Sequence, residues 1–249
     1  MAKAAGKTST KSSRKTAKKE PERKPFRPVR FAVSWLLRGA VALVALILAL
    51  VLLFAAINPP TTHTIWSESR RLGGVEREWV PIEKIAPVMA RSVVAAEDAN
   101  FCLHWGFDIE AIRAAFEDGG ERGGSTISQQ VVKNVFLWQG RSWIRKALEA
   151  AITPVVEAVW SKRRIVEVYM NVAEMGEGVF GVGAAAEEFF GVTPDKLSAQ
   201  QAALIAAVLP SPRTRSAAKP SNGVRKRAAS IADGAATIRA DGRAACFED

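Results

Sequence analysis

Residues 93–108 read VVAAEDANFCLHWGFD, and the rest of the sequence is arranged around this stretch. A helical run of small apolar residues leads to two adjacent carboxylates, Glu97 and Asp98, and Phe101 and His104 follow closely. Aromatic rings and an imidazole shield a carboxylate from water, and such shielding tunes a carboxylate for proton transfer. An isolated Glu-Asp pair is also typical of a solvated helix end, so the remaining sequence decides between the two interpretations.

The positive charge of the chain is concentrated at its N-terminus. The formal net charge is +10 over 249 residues, and eleven Lys and Arg residues lie within positions 1–30. From position 39 onward basic and acidic residues are equal in number, so the body of the protein is formally neutral. The tail 1–30 is rich in Lys, Ser, Ala and Pro and lacks apolar periodicity. It is predicted to be a disordered, basic, cytoplasmic segment.

Residues 31–57 are predicted to form an uncleaved membrane anchor. Positions 39–57 contain no charged or hydrogen-bonding side chain. At about 1.5 Å per residue, a helix of this length crosses most of a hydrocarbon core about 30 Å thick. A signal peptide normally has a shorter apolar region, and a core helix is rarely apolar on every face. The positive-inside rule keeps the tail in the cytoplasm and places the chain outside from the connector, 58–64, onward.

The chain after the connector is predicted to be mostly α-helical. Apolar residues recur at helical spacing in several segments of 65–212, and glycine-rich loops interrupt them at 118–124 and 176–183. No segment shows the convincing alternation of a strand. We therefore expect one helical domain over 65–212, followed by a C-terminal tail, 213–249, with a weak helix near 224–239.

Metal and thiol chemistry find little support in the sequence. The two histidines, His63 and His104, lack the spacing of metal ligands. The two cysteines, Cys102 and Cys246, are too few for a disulfide framework. An oxidising compartment would allow them to pair, but free thiols are the default expectation. The Walker, Rossmann and nucleophile-elbow patterns do not occur.

A second polar stretch occupies residues 123–134, GGSTISQQVVKN. Two glycines lead into Ser125 at an expected N-cap position. Free backbone N–H groups and the positive end of the helix dipole would then face one spot, which suits an anion such as a phosphate. An ordinary amphipathic helix with a solvated polar face fits the same pattern. Its polar residues form two neighbouring i,i+4 rows: Ser125, Gln129 and Lys133, and Thr126, Gln130 and Asn134.

Two further stretches carry charged and polar residues at helical spacing: RKALE at 145–149 and SKRRIVEVYMN at 161–171. In the first, two cations and a carboxylate converge on one side of a helix: Arg145, Lys146 and Glu149. A surface salt bridge explains this pattern, and so does a site that holds a pyrophosphate. The second is a plain amphipathic helix on its own, with three residues of note: Glu167, Tyr169 and Asn171.

Taken together and in this order, the four stretches resemble the bacterial peptidoglycan glycosyltransferases. These are the glycan-polymerising domains of class A penicillin-binding proteins and the stand-alone monofunctional enzymes. The family's first motif, E-D-x-x-F-x-x-H-x-G, is matched by Glu97, Asp98, Phe101, His104 and Gly106. The second, G-G-S-T-I-T-Q-Q-x-x-K-N, is matched over 123–134 except at Ser128, which replaces Thr and keeps its hydroxyl. The third, R-K-x-x-E, falls on Arg145, Lys146 and Glu149, and the fourth, E-x-Y-x-N, on Glu167, Tyr169 and Asn171.

The resemblance covers roughly residues 66–212. The chain after Pro212 is too short for a transpeptidase domain, so the monofunctional type is expected. The implied fold is mainly α: a lysozyme-like bilobal glycosyltransferase domain with a single N-terminal transmembrane helix. The smaller lobe would be a membrane-dipping jaw. The implied location is the bacterial cytoplasmic (inner) membrane, single-pass, with a cytoplasmic N-terminus and a periplasmic or extracytoplasmic catalytic domain.

The implied activity is polymerisation of lipid II into β-1,4-linked glycan strands, with inversion at the anomeric carbon and release of undecaprenyl pyrophosphate. The implied partners are lipid II, lipid-linked glycan, the membrane and proteins of cell-wall synthesis or division, with no nucleic acid. No organic cofactor is implied. A divalent cation, Mg or Mn, is an expectation that the resemblance leaves open.

The resemblance also implies a role for each motif residue. Glu97 would be the general base that takes the proton from the 4-hydroxyl of the acceptor sugar. Arg145 and Lys146 would stabilise the charge on the leaving pyrophosphate, and Glu149, the second carboxylate, would position a cation or the donor. The residues expected to hold sugars or phosphates are Gly124, Ser125, Thr126, Gln129, Gln130, Lys133 and Asn134. Those expected to shape and orient the binding site are Asp98, Phe101, His104, Glu167, Tyr169 and Asn171.

Three alternative interpretations stay open. A lysozyme-like cell-wall hydrolase would also use two carboxylates, although the Arg145-Lys146 pair and the Gly-Gly-Ser helix start favour a substrate that contains phosphate. A non-catalytic membrane-anchored scaffold for cell-wall synthesis would keep the fold without the reaction. Nucleic-acid binding through residues 1–30 is the third, but a basic tail beside a membrane span is more simply a topology determinant that touches anionic lipid.

Overall fold

The structure is a computed structural model that describes residues 1, 6, 28–117, 124–140 and 142–248. Most of the predicted basic tail and of the glycine-rich loop at 118–124 lies outside these residues. The chain divides into two units, Met1–Leu43 and Val44–Asp249. The first unit contains the beginning of helix α1, Pro28–Ala56, and most of its side chains there are exposed. Within the described residues, Val29–Ala56 is long and apolar enough to cross a membrane.

The second unit is mainly helical, which confirms the predicted fold class. Its helices are α2 His63–Leu72, α3 Pro87–Glu97, α4 Ile109–Glu117, α5 Ile127–Phe136, α6 Trp143–Val159, α7 Lys162–Val172, α8 Gly181–Phe190, α9 Ala199–Val208, α10 Asn222–Ala240 and α11 Ala245–Glu248. Single 3₁₀ turns occur at Ile82–Lys84, Phe101–Leu103 and Pro194–Lys196.

Serine side chains cap the starts of several of these helices. Ser142, Ser161, Ser198 and Ser221 each accept a hydrogen bond from the backbone N–H three residues further on. At the start of α9, Gln201 completes a capping box with Ser198. The helix starts in this part of the chain therefore follow from local sequence.

A small sheet occupies part of the chain that was predicted as a loop. Strands β1 Glu76–Arg77, β2 Glu174–Gly176 and β3 Val179–Phe180 pair in the order β1-β3-β2. β1 runs parallel to β3, and β2 runs antiparallel to it. The predicted loop over 176–183 is therefore wrong, because β3 and the start of α8 lie within it. These strands have only two or three residues each, too few to show an alternating pattern.

The domain continues well beyond the boundary predicted at residue 212. Helix α10 packs against α3 and α9, and it contributes buried side chains to the core, among them Ile231 and Ile238. Phe247 in α11 is also fully buried. The segment 213–248 is therefore part of the folded domain rather than a tail.

The expectation of free thiols is wrong, because Cys102 and Cys246 form a disulfide. The two residues are 144 positions apart in sequence, and the fold brings their Cα atoms to 5.7 Å, within the usual range for a disulfide. Cys102 lies directly after Phe101 of the first motif, and Cys246 lies in α11. Only the tertiary fold brings these two segments together.

The last turns of α1 belong to the second unit and are built into it. Val51 is buried, and its carbonyl accepts a hydrogen bond from Trp160 Nε1 at 2.8 Å. The Arg164 guanidinium donates to the carbonyls of Phe54 and Ile57. The Phe54 ring lies 6.1 Å from that of Phe136. This end of the helix is therefore fixed to the domain by backbone and aromatic contacts.

Candidate active site

Glu97 and Asp98 leave helix α3 with different backbone conformations. Glu97 is the last helical residue, and Asp98 is the C-cap with φ −163° and ψ 67°. Both carboxylates contact helix α5 or its start, but at different points: Glu97 meets Gln130, and Asp98 meets the N–H of Ile127. The end of α3 thus separates two neighbouring acids into two environments.

Glu97 is largely enclosed and has one oxygen free of hydrogen bonds. Its Oε2 accepts from Gln130 Nε2 at 2.9 Å, while Oε1 is buried without a hydrogen-bond partner among the described residues. Burial raises the pKa of Glu97, and the Gln130 hydrogen bond and the charges of Arg227 and Lys133 oppose that rise in part. A buried carboxylate with a raised pKa and an unused oxygen is suited to act as a general base.

Gln130 links Glu97 to the fourth motif. The Tyr169 hydroxyl donates to Gln130 Oε1 at 3.2 Å. Burial raises the pKa of Tyr169 well above its ordinary value, so the phenol remains a neutral donor. The amide of Gln130 is therefore held at both ends, which fixes the position of the Glu97 carboxylate.

Asp98 has a structural role at the start of α5. Its Oδ2 accepts from the Ile127 N–H at 2.9 Å, and its Oδ1 accepts from His104 Nε2 at 2.8 Å. Its side chain is almost completely buried. The positive end of the helix dipole, where an anion was predicted, therefore faces the Asp98 carboxylate.

The N-cap of α5 is Thr126 rather than Ser125, so the predicted cap is wrong by one residue. Thr126 Oγ1 accepts from the Gln129 N–H and donates to the Gly106 carbonyl at 2.7 Å. Gln129 Oε1 in turn accepts from the Thr126 N–H and completes a capping box. Thr126 and Gln129 therefore order the helix start, and Ser125 lies just before it with its hydroxyl available to Lys146.

The third motif converges as its spacing predicts. Glu149 is buried at 2% exposure and accepts from Arg145 Nη1 at 2.6 Å and from Lys146 Nζ. Lys146 Nζ also donates to Ser125 Oγ at 3.0 Å, which joins the third motif to the second. Glu149 thus holds two cations beside the start of α5, and a surface salt bridge does not describe this buried arrangement.

The two partners of the Glu97–Gln130 hydrogen bond each line a cavity. One, of about 510 Å³, is lined by Gln130, Lys133, Asn134, Tyr169 and residues 209–214, among others. The other, of about 420 Å³, is lined by Glu97, Asp98, Gly124, Ser125 and Thr126, among others. The cavities place residues of the first, second and fourth motifs at one site.

Lys133 and Arg213 are the cations among the described residues that line the larger cavity, and Lys133 is the one that belongs to the second motif. Burial lowers its pKa from the ordinary value, the carboxylates of Glu149 and Glu97 raise it, and Arg145 and Lys146 lower it. A phosphate in this cavity would oppose the effect of burial and favour the charged ammonium. Lys133 is therefore a largely enclosed cation within the electrostatic influence of Glu97 and Glu149.

Several predicted binding residues lie in the protein frame rather than at a cavity wall. Phe101 and Asn171 are fully buried. Asn171 bonds to the backbone N–H and C=O of Val80 and to the carbonyl of Glu167. Glu167 itself accepts from Arg164 at 2.7 Å. These residues, with His104, hold neighbouring segments of the protein in place.

A buried ion pair that the sequence did not reveal connects the first two motifs. Glu157 accepts from Ser128 Oγ and from Lys162 Nζ, the latter at 2.9 Å. Lys162 Nζ also donates to the His104 carbonyl at 2.8 Å and lies 4.3 Å from the centre of the Phe101 ring. Glu157 and Lys162 lie on different helices, so no helical spacing marks them. The one indication in the sequence is that Glu157 lies among the apolar residues that form the buried face of α6, where a carboxylate needs a partner.

Arg227 is a further residue that the sequence did not reveal. It lies in α10, donates to the Ala96 carbonyl at 3.3 Å, and its Nη2 is 3.9 Å from Glu97 Oε1. The sequence placed this segment in a tail outside the domain, which removed it from consideration.

The sequence left open whether the site binds a divalent cation, and the described residues contain no cluster of typical metal ligands. No three His, Cys, Asp or Glu side chains of these residues come together as metal ligands. The Asp98 carboxylate is used by His104 and Ile127, and that of Glu149 by Arg145 and Lys146.

Comparison with known proteins agrees with this geometry. A family model described as transglycosylase matches residues 65–236, which includes most of α10. A biosynthetic peptidoglycan transglycosylase of Jannaschia sp. (strain CCS1) is 65% identical over 213 residues, 86% of this chain and 89% of that protein. Proteins of the same name from Caulobacter vibrioides and Rhodospirillum centenum are 46% and 45% identical and cover 79% and 86% of this chain. The alignments span 87% and 96% of those two relatives.

Proposed function

The chain belongs to the transglycosylase family and is a peptidoglycan transglycosylase, and from this we propose that it polymerises lipid II into β-1,4-linked glycan strands. In this proposal the donor is a growing lipid-linked glycan and the acceptor is lipid II. The observation that carries it is Glu97, a largely enclosed carboxylate that lines a cavity with residues of the second motif and has one oxygen without a hydrogen bond from the described residues.

Glu97 is the general base in the proposed mechanism. Its Oε1, which accepts no hydrogen bond from the described residues, takes the proton of the acceptor 4-hydroxyl while the acceptor oxygen forms a bond to the donor anomeric carbon. The bond from that carbon to the pyrophosphate oxygen breaks on the opposite face, so an α-linked donor becomes a β-linked product. The raised pKa of Glu97 improves its match to the hydroxyl proton.

Cationic side chains stabilise the undecaprenyl pyrophosphate as it leaves. Lys133 lines the larger cavity, and Arg145 and Lys146 are held nearby by Glu149. Fixed positive groups in a partly dry site stabilise developing negative charge without having to reorganise during the reaction. Glu149 in this mechanism positions the two cations and takes no proton.

The first described helix is proposed as the anchor that keeps the site at the bilayer surface. Val29–Ala56 has the length and composition of a membrane span. In this proposal the N-terminus lies in the cytoplasm, as the positive-inside rule predicts for a basic tail, and the catalytic domain lies on the extracytoplasmic side. Both proposed substrates carry lipid chains, so an anchored enzyme meets them by diffusion in two dimensions. Proteins of cell-wall synthesis or division are proposed as further partners.

The test compares the full-length protein with Glu97→Gln in detergent or vesicles supplied with labelled lipid II. Glu97→Gln keeps an acceptor oxygen and a similar volume but removes the base, so we expect polymer formation to fall by about 100-fold or more. Glu188→Gln, at an exposed position on α8, is the matched control and keeps full activity. Polymerisation by Glu97→Gln at the wild-type rate would remove Glu97 from the general-base role.

Two outcomes would favour the alternatives. A hydrolase would degrade preformed glycan and make no polymer from lipid II. A scaffold would support growth equally well with Glu97→Gln in cells that depend on this gene. Long glycan from lipid II with wild type, lost with Glu97→Gln, supports the proposed reaction.

A further inference from the structure

The C-terminal segment 241–248 lies behind the loop that carries the first motif. We propose that this segment, here named the C-terminal brace, positions the catalytic loop 98–104, and that the Cys102–Cys246 disulfide makes this positioning sensitive to thiol reduction. The proposal rests on the proposed role of Glu97. The family match ends at residue 236, so the brace lies beyond it.

The brace contacts the catalytic loop at three points. Cys246 is bonded to Cys102. The Phe247 ring is fully buried, 6.4 Å from the ring of Phe101. Arg243 Nη1 donates to the Ala99 carbonyl at 3.0 Å. One covalent bond, one aromatic contact and one hydrogen bond therefore hold a segment of only four residues, 99–102.

The other side of the brace is fixed to the domain. Arg163 Nη1 donates to the carbonyls of Phe247 and Glu248 at 3.0 and 3.2 Å. Glu248 Oε1 accepts from Arg91 Nη1 at 2.7 Å. Arg91 lies on α3 and Arg163 on α7. The brace is thus a connection from two core helices to the catalytic loop, rather than a loose chain end.

The loop transmits this support to the reacting carboxylate. Phe101 donates its backbone N–H to the Asp98 carbonyl at 3.0 Å, and its ring lies 6.2 Å from that of His104. His104 bonds to Asp98, which follows Glu97 directly. A shift of Phe101 would move Asp98 and the end of α3. Small displacements of a catalytic group lower the rate steeply, because the reacting atoms must be aligned.

Reduction would remove only the covalent contact. A dithiol reductant transfers two electrons and two protons to the disulfide, giving the Cys102 and Cys246 thiols and an oxidised, cyclic disulfide of the reagent. The Phe247 packing and the Arg243 hydrogen bond remain. We therefore expect a looser loop in a folded protein, and not global unfolding.

The first measurement is hydrogen exchange of the backbone amides in 98–104, which requires no activity. Full-length wild type is compared with and without a dithiol, beside Cys246→Ser. We expect faster exchange in this loop after reduction, the same increase in Cys246→Ser, and no response of that variant to the dithiol. Unchanged exchange in reduced wild type would overturn the brace, whether or not the protein polymerises lipid II.

The second measurement is the rate of lipid II polymerisation by the same samples. We expect kcat to fall about tenfold on reduction with KM nearly unchanged, because the loop positions a base rather than binding substrate. Water reaching Glu97 would also lower its raised pKa, so the acid limb of the kcat profile should move to lower pH despite the fixed charges of Asp98, Lys133 and Arg227.

The combination of results separates the two proposals. Faster exchange with an unchanged kcat and acid limb would overturn the positioning role. No polymer from oxidised wild type, together with faster exchange after reduction, would contradict the proposed function and leave the brace as a structural connection only.

Discussion

Replacing Asn171 with Ala should unfold the domain at a much lower temperature while leaving the turnover of each folded molecule nearly unchanged. The Asn171 side chain is fully buried, accepts from the Val80 N–H at 2.7 Å and donates to the Val80 C=O at 2.9 Å. These bonds connect α7 to the segment just after β1. Its third bond, to the Glu167 carbonyl, is within α7.

The magnitude follows from the groups that the substitution leaves unpaired. The alanine variant buries one N–H and one C=O of Val80 without partners, and each such group costs about 1–3 kcal/mol. The expected loss is therefore about 4 kcal/mol, a large part of the 5–15 kcal/mol that is typical of folded domains. At about 2–4 °C per kcal/mol for a domain of this size, the melting temperature should fall by about 8–16 °C.

The assay is thermal unfolding of the detergent-solubilised protein, followed by circular dichroism, beside lipid II polymerisation at a temperature where both proteins remain folded. Asn222→Ala, at an exposed position in α10, is the matched control and should change stability by less than about 0.5 kcal/mol. An Asn171→Ala protein that melts like wild type and polymerises poorly would refute the reasoning and indicate a direct role at the substrate.

Three further perturbations have definite expected outcomes. Gln130→Ala removes the hydrogen bond that lowers the pKa of Glu97, so we expect that pKa to rise further and the acid limb of the kcat/KM profile to move to higher pH. A shift to lower pH would contradict the assigned contact. Ser128→Ala removes one hydrogen-bond donor to the buried Glu157 but leaves the other donor, Lys162, so the free energy of unfolding should fall by about 1–2 kcal/mol. An unchanged midpoint in thermal unfolding would argue against the Ser128–Glu157 hydrogen bond. Glu149→Gln leaves Arg145 and Lys146 without their buried carboxylate, so the free energy of unfolding should fall by about 3–5 kcal/mol and polymerisation should be lost. Thermal unfolding and the lipid II assay measure the two effects. Full activity would show that the two cations keep their positions without Glu149.

The sequence predicts this protein best where contacts are local. Serine caps lie next to the helices that they start, and Arg145, Lys146 and Glu149 meet because residues three and four apart share a helix side. The mainly helical class and the candidate anchor follow from periodicity and apolar length in the same way.

The contacts that give Asp98 and Asn171 their structural roles join residues far apart in sequence, so the spacing of residues along a helix does not predict them. Asp98 meets the Ile127 N–H across 29 positions, and Asn171 meets Val80 across 91. An anion was expected at the start of α5, and the carboxylate of Asp98, which is distant in sequence, lies there. The pairing of Cys102 with Cys246 depends on the packing of α10 and α11, which a weakly patterned sequence does not specify.

The fixed end of α1 has a consequence for the solubility of shortened forms of the protein. A chain that began after Ile57 would lose the Val51 carbonyl that Trp160 Nε1 uses and the Phe54 ring that lies against Phe136. It would then present an aromatic patch to water, together with an indole N–H that had lost its partner. Contiguous exposed apolar surface promotes aggregation. Removing the membrane span would therefore not by itself yield a protein that stays in solution without detergent, because the end of that helix covers apolar surface of the domain.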